Sequence, residues 1–325
     1  MRWIGLVLTL GLMLVPHTSW AQARIRPYLV GVLNNSFTPA APVVKELKIG
    51  LKTEGLEEGR DVRFDIRSTG GDEKTAVTHA AALASENPAV LVTVGEKETH
   101  AASAAAPRTQ IVFTQISDPV AAGLIASIAR PGGRLTGVTR LYAELVPKRL
   151  ELAKELVPNL RRVLFVYDAQ DSTTAAAARR AQETAPNLKV QVVVRTVRTR
   201  DEAVRELKAA GAGDVLLTPA TINLDIVALI LNLNLYGVAP AIFHTSFWVQ
   251  AGGAASYGID TYAEGVQAAR LVAKILRGAR PEELPAEGVN KIEVAINRRT
   301  VQAFGLTIST ALMARADRIF EGIGE

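Results

Sequence analysis

The chain has 325 residues, a formal charge of +5, 48% apolar and 21% charged residues, and no cysteine. This balance fits two ordinary globular domains and excludes a disordered chain, and the lack of Cys excludes disulfides, thiolate metal sites and Cys nucleophiles. The basic residues, among them Arg24, Arg26, Arg130, Arg134, Arg140, Lys148 and Arg149, are spread along the chain, which argues against a nucleic-acid stripe.

Arg2, an apolar run over 3–15 and Ala21-Gln22-Ala23 read as a secretory signal peptide over residues 1–23. The run is shorter than the roughly 20 residues a membrane helix needs. The mature chain is expected to begin near Arg24, in the periplasm, without a lipid anchor. From there strand and helix signals alternate. Strands are expected at 28–33, 62–66, 89–94 and 111–113, and helices at 43–51, 74–84 and 98–105. The stretch 109–141 organises this first series. Ser117-Asp118-Pro119 follows a buried strand, a helix is expected through Val120, Leu124, Ile125 and Ile128, and Arg130-Pro131-Gly132-Gly133 stops it before a strand at 135–138.

A second series then begins. It has helices at 146–156, 173–184, 201–210 and 224–235, the last with Asn223 as N-cap, and strands at 162–167, 190–197, 215–218 and 241–244. Beyond it are a strand at 254–257, a helix at 262–276, a strand at 291–296, and helices at 300–304 and 309–320. The rhythm predicts an α/β protein with two Rossmann-like, parallel-sheet lobes. The expected division is 24–139 with 252–284 for lobe 1, and 140–251 with 285–325 for lobe 2. Three crossings between them form a hinge near 138–141, 247–254 and 285–291.

Catalytic signatures are sparse. There is no P-loop and no HExxH, the four His have no metal-ligand spacing, and Ala254-Ala255-Ser256-Tyr257-Gly258 lacks the first glycine of a nucleophile elbow. What remains are polar elbows at strand ends. In lobe 1 they are Asn34-Asn35-Ser36, Gly95-Glu96-Lys97 and Ser117-Asp118. In lobe 2 they are the stretch from Asp168 through Ser172 and Thr173, and that from Thr218 to Thr221. Each precedes a helix, whose free N–H groups can hold a carboxylate, while Asp118 or Asp260 can accept an ammonium group.

These residues resemble the periplasmic substrate-binding proteins of ABC transporters, in the family that includes tryptophan-binding proteins. The resemblance rests on Ile111-Val112-Phe113 with Ser117-Asp118-Pro119-Val120-Ala121-Ala122-Gly123-Leu124, on Arg130-Pro131-Gly132-Gly133 with Thr136-Gly137-Val138, and on Lys148-Arg149-Leu150-Glu151-Leu152. Ser256-Tyr257-Gly258, Phe304-Gly305-Leu306-Thr307-Ile308 and the closing run 312–317 continue it. The resemblance implies a type I periplasmic binding fold, with a three-strand hinge and one ligand between the lobes. It places Ser117 and Asp118 on a ligand-facing elbow, Ser172 and Thr173 among the second lobe's donors, and Asp260 after the matching Ser-Tyr-Gly strand. Where family members often carry a small Gly-Thr elbow, this chain has Gly95-Glu96-Lys97-Glu98, and Asp168 and Asp171 make the second-lobe elbow more acidic. These departures favour a cationic or amine-bearing ligand.

The expected function is capture of a small polar metabolite, an amino acid or related amine, for an inner-membrane ABC permease. The protein would act as a monomer, with no cofactor, no nucleic-acid partner and no reaction catalysed. The alternative is a secreted hydrolase or transferase that uses the same cleft.

Overall fold

A computed structural model describes residues 27–221 and 223–324; the expected leader and its cleavage site lie outside them. Two sheets organise these residues. The first contains β1 (Tyr28–Asn34), β2 (Val62–Ser68), β3 (Val90–Val94), β4 (Ile111–Ile116), β5 (Leu135–Thr139) and, from far along the chain, β11 (Glu287–Gly288), in the order β11-β5-β4-β3-β1-β2, all parallel. The second contains β6 (Arg162–Asp168), β7 (Gln191–Val197), β8 (Asp214–Leu217), β9 (Ala241–Phe243), β10 (Ala255–Ile259), β12 (Ile292–Asn297) and β13 (Arg318–Phe320). Its order is β13-β12-β10-β9-β8-β6-β7, with β12 antiparallel to β10.

The inner strands are nearly continuous apolar runs because helices cover both faces of each sheet. In the first lobe α1 (Pro42–Thr53) and α9 (Thr261–Leu276) bury Val43, Val44, Leu47, Leu51, Ala268 and Val272 on one side. On the other, α2 (Glu73–Ser85) and α3 (Glu96–Ala105) bury Ala80, Leu83 and Ala102. In the second, α4 (Val146–Leu156) and α5 (Ser172–Thr184) face α6 (Arg200–Leu207) and α7 (Ile226–Leu235) across the sheet. The short helices α8 (Ser246–Gln250), α10 (Arg298–Ala303) and α11 (Thr310–Arg315) complete this lobe.

The fold class is as the sequence predicts, and four local expectations are corrected. The helix expected after Pro119 is a single turn. Asp118 caps it by accepting from the Ala121 N–H at 2.9 Å, and Gly123, at φ +69°, ends it in the left-handed region. The expected 309–320 helix stops at Arg315. Ala316 is extended, and Arg318–Phe320 pairs with β12 instead. Helix α7 begins only at Ile226, after Leu224 and Asp225 at positive φ, so Asn223 is not its N-cap. The lobe boundaries also move. The strand β10 lies between β9 and β12 in the second sheet, so the chain returns to the first lobe at Asp260 and not at 252. It stays there beyond 285, because β11 pairs with β5.

Candidate functional site

The chain leaves the carboxyl end of β5 at Arg140. Two residues later the Tyr142 hydroxyl donates to the Thr218 carbonyl, just past β8. The carboxyl ends of β5 and β8 are therefore brought close together, and the polar elbows sit at the carboxyl ends of strands in both sheets. In doubly wound sheets this edge is where ligands bind.

On the first-lobe side, Asn34 is buried and works inward. Its amide donates to the Arg67 carbonyl and to Ser68 Oγ, and its carbonyl oxygen accepts from Ser36 N at 3.0 Å and from the Ser36 hydroxyl. Asn34 thus shapes the elbow, while Asn35 and Ser36 are half-buried at its surface. Glu96 and Lys97 are exposed on the first turn of α3. Ser117 is half-buried, its carbonyl accepting from Thr139 Oγ1 at 2.9 Å, and Asp118 is exposed.

On the second-lobe side, Asp168 is buried and accepts from the Gln170 N–H at 3.0 Å. Asp171 caps α5 through Thr174 N at 2.8 Å and also accepts from Thr221 Oγ1 at 3.0 Å, joining the β6 and β8 elbows. Ser172 is exposed and Thr173 half-buried on the first turn of α5. Thr218 is buried, its hydroxyl 3.1 Å from His244 Nδ1, so it and Thr221 support the elbow from within.

Asp260 stands at the carboxyl end of β10, at the second crossing. It is buried, caps α9 through Tyr262 N at 2.9 Å and pairs with Lys291 Nζ at 2.6 Å. It lines a separate groove of about 430 Å³ between α1, α9 and the crossing at Asn290 and Lys291. The cost of burying its carboxylate is outweighed by Lys291 and the two backbone donors, which hold its pKa below the usual range.

Several residues near these strand ends were not singled out from sequence. Gln115, at φ +59°, forms a bulge that shifts the β4–β5 register, and its N–H donates to Glu264 Oε1 at 2.7 Å. The fully buried Glu264 reaches from α9 and also pairs with Arg140 at 3.1 Å, tying the first crossing to the end of β4. Opposite, Arg149 stacks 4.3 Å from the Tyr142 ring centre and donates to the Tyr257 carbonyl at 2.8 Å. Burial first, then the charges of Arg149 and Arg140, hold His244 well below the usual imidazole range, so it is neutral at pH 7. Charged residues inside helices read as a solvated face in sequence, which hid Glu264 and hid the burial of Arg149. The only available signal was Arg140, at the expected crossing.

The hydrolase alternative finds no exposed nucleophile in the near-miss elbow, because Ser256 is fully buried within β10. Among the described residues no cluster of His, Asp and Glu could hold a metal ion.

Comparison with known proteins agrees with this fold. The chain is 25% identical over 261 residues to a tyrosine-binding protein of Clostridioides difficile (strain R20291), covering 79% of this chain and 74% of that protein. A conserved domain protein from Vibrio cholerae superposes with a TM-score of 0.80 at 29% identity, over 90% of this chain and all of the other. An ABC domain from Streptococcus pneumonia in complex with L-Trp gives the same TM-score and coverage at 21% identity, a likeness of fold. The family model of ABC transporter substrate binding proteins matches residues 39–320, spanning both lobes and all three crossings, and the chain belongs to that family.

Proposed function

We propose that the protein is the periplasmic receptor of an ABC importer. It holds one small polar metabolite, an amino acid or related amine, in the interlobe cleft and presents it to an inner-membrane permease, as a monomer and without catalysis. The observation that carries this reading is the pair of polar rims at the carboxyl ends of the two parallel sheets. The exposed and half-buried members are Asn35, Ser36, Glu96, Lys97, Ser117, Asp118, Ser172 and Thr173. The free N–H groups at the start of α5, beside Ser172 and Thr173, suit a ligand carboxylate. Carboxylates on the opposite rim suit an ammonium group. Closing the lobes would exclude water and strengthen each polar contact. Relatives named for tyrosine and tryptophan make an aromatic amino acid the first ligand to test.

The test is calorimetric titration of the mature protein with L-tyrosine and L-tryptophan, alongside melting curves. The expected result is saturable one-to-one binding of at least one, with a rise in stability of about 2.7 kcal/mol at a hundredfold excess over Kd. Saturable binding of a sugar or polyol, with no heat from any amino acid, would overturn the ligand class.

A further inference from the structure

The first sheet changes direction between β1 and β3: β2 lies on one side of β1, and β3, β4 and β5 follow on the other. Ligands of doubly wound sheets bind outside the strand ends at this switch point. The carboxylate of Glu98, which comes from the first turn of α3, sits there. Oε1 accepts from Thr69 Oγ1 at 2.5 Å, from just past the end of β2. Oε2 lies on the β3 side, 2.5 Å from where a Cβ on Gly95 would stand, and Asn35 Nδ2 is 3.0 Å from the same point. Gly95, at φ +112°, is thus the residue that leaves room for the carboxylate beneath the rim.

Glu98 is only 2% exposed, and among the described residues no Lys, Arg or His forms an ion pair with it. Its second-lobe counterpart, buried and likewise in no ion pair among the described residues, is more fully hydrogen-bonded than Glu98, which accepts from Thr69 and its own backbone. Asp171, between the β6 and β8 elbows, has its oxygens engaged by Thr174 and Thr221. Buried carboxylates are ordinarily matched by a counter-charge, and among the described residues Glu98 feels only the charge of its exposed neighbour Lys97, with which it forms no ion pair. The amide of the half-buried Asn35 lies beside the same space and reaches Gln115 Oε1 by a long 3.5 Å contact.

We propose that Glu98 is the receptor for a positively charged nitrogen of the ligand, an inference that rests on the interlobe binding reading above. The ligand's ammonium group supplies the missing counter-charge when the Asn35 amide turns aside. Burial, the leading influence on Glu98, pushes its carboxyl up against the opposing effects of the Thr69 hydrogen bond, its own backbone and Lys97.

The test measures affinities of wild type and Glu98→Gln for L-tyrosine, for tyramine, and for 3-(4-hydroxyphenyl)propanoate, which lacks the amine. Wild type should bind the two amines and bind the propanoate at least tenfold more weakly. Glu98→Gln preserves an acceptor for Thr69 and removes a buried charge, so it should melt no lower than wild type. It should lose about tenfold to hundredfold in affinity for the amines and none for the propanoate. Glu98→Asp, which keeps the charge but withdraws it by one methylene, should weaken the same two ligands. Unchanged amine affinity in Glu98→Gln would overturn the role of Glu98 while leaving amino-acid capture standing. Binding of the propanoate alone, or of none of the three together with no heat from any amino acid, would overturn both.

Discussion

At the scale of single residues, the buried charges do more of the organising than the exposed ones. Glu264 satisfies the N–H of Gln115, which the bulge has removed from the sheet ladder, and pairs with Arg140 where the chain first crosses between lobes. Removing one partner of such a pair leaves the other uncompensated. Glu264→Ala should therefore destabilise the protein by about 3 kcal/mol, read from urea unfolding midpoints, whereas Glu264→Gln, which still accepts from Gln115, should cost less. A loss below about 1 kcal/mol in the Ala variant would show that Arg140 and Gln115 find other partners. The rim residues Ser117, Asp118, Ser172 and Thr173 were legible in sequence because short polar side chains between a strand and a helix are an obvious local pattern. Glu264 was not, and Glu98 and Arg149 were legible as members of local motifs but not as buried charges. Each lies in a helix, and burial of a helical charge is decided by tertiary packing that no local window contains.

At the scale of elements, most strands and helices could be read directly, since apolar runs with polar ends and 3.6-residue periodicity are strong signals. The failures share a cause. From Val120 to Ile128 the apolar spacing is helical, but Val120 and Ile128 are exposed and the chain turns back after one turn at Gly123. The apolar pattern was outweighed by a glycine in the left-handed region. The two readings give opposite signs for one substitution. Inside a helix Gly123→Ala would stabilise by about 0.5–1 kcal/mol. At φ +69° it should destabilise by about 1–2 kcal/mol, measured by thermal or urea unfolding. Similarly, the residues after Arg315 continue an apolar rhythm, yet the free edge of β12 captures Arg318–Phe320 as a strand. Asp317 secures this exchange by accepting from the Val294 N–H at 2.8 Å.

At the scale of the whole molecule, two doubly wound sheets and three crossings were foreseen, but the place where each crossing occurs was not. The assignment of residues near 252 to the first lobe fails because β10 lies inside the second sheet, and an apolar strand carries no mark of which sheet it will join. The actual crossings at Arg140, Asp260 and the stretch before Ile292 are each held by an ion pair or a backbone bond: Arg140 with Glu264, Asp260 with Lys291, and Asp260 N with the Lys291 carbonyl at 2.9 Å. These bonds fix the crossings at the carboxyl ends of β5 and β10, on the edge where the proposed binding cleft lies. The most direct test of this account is amide hydrogen exchange with and without saturating L-tyrosine, or whichever amino acid the titrations show to bind. The expected result is added protection in both rims at once, at 35–36, 95–98 and 115–118 in the first lobe and at 168–173 and 218–221 in the second. Protection confined to one lobe, or centred on the groove beside Asp260 and Lys291, would contradict it.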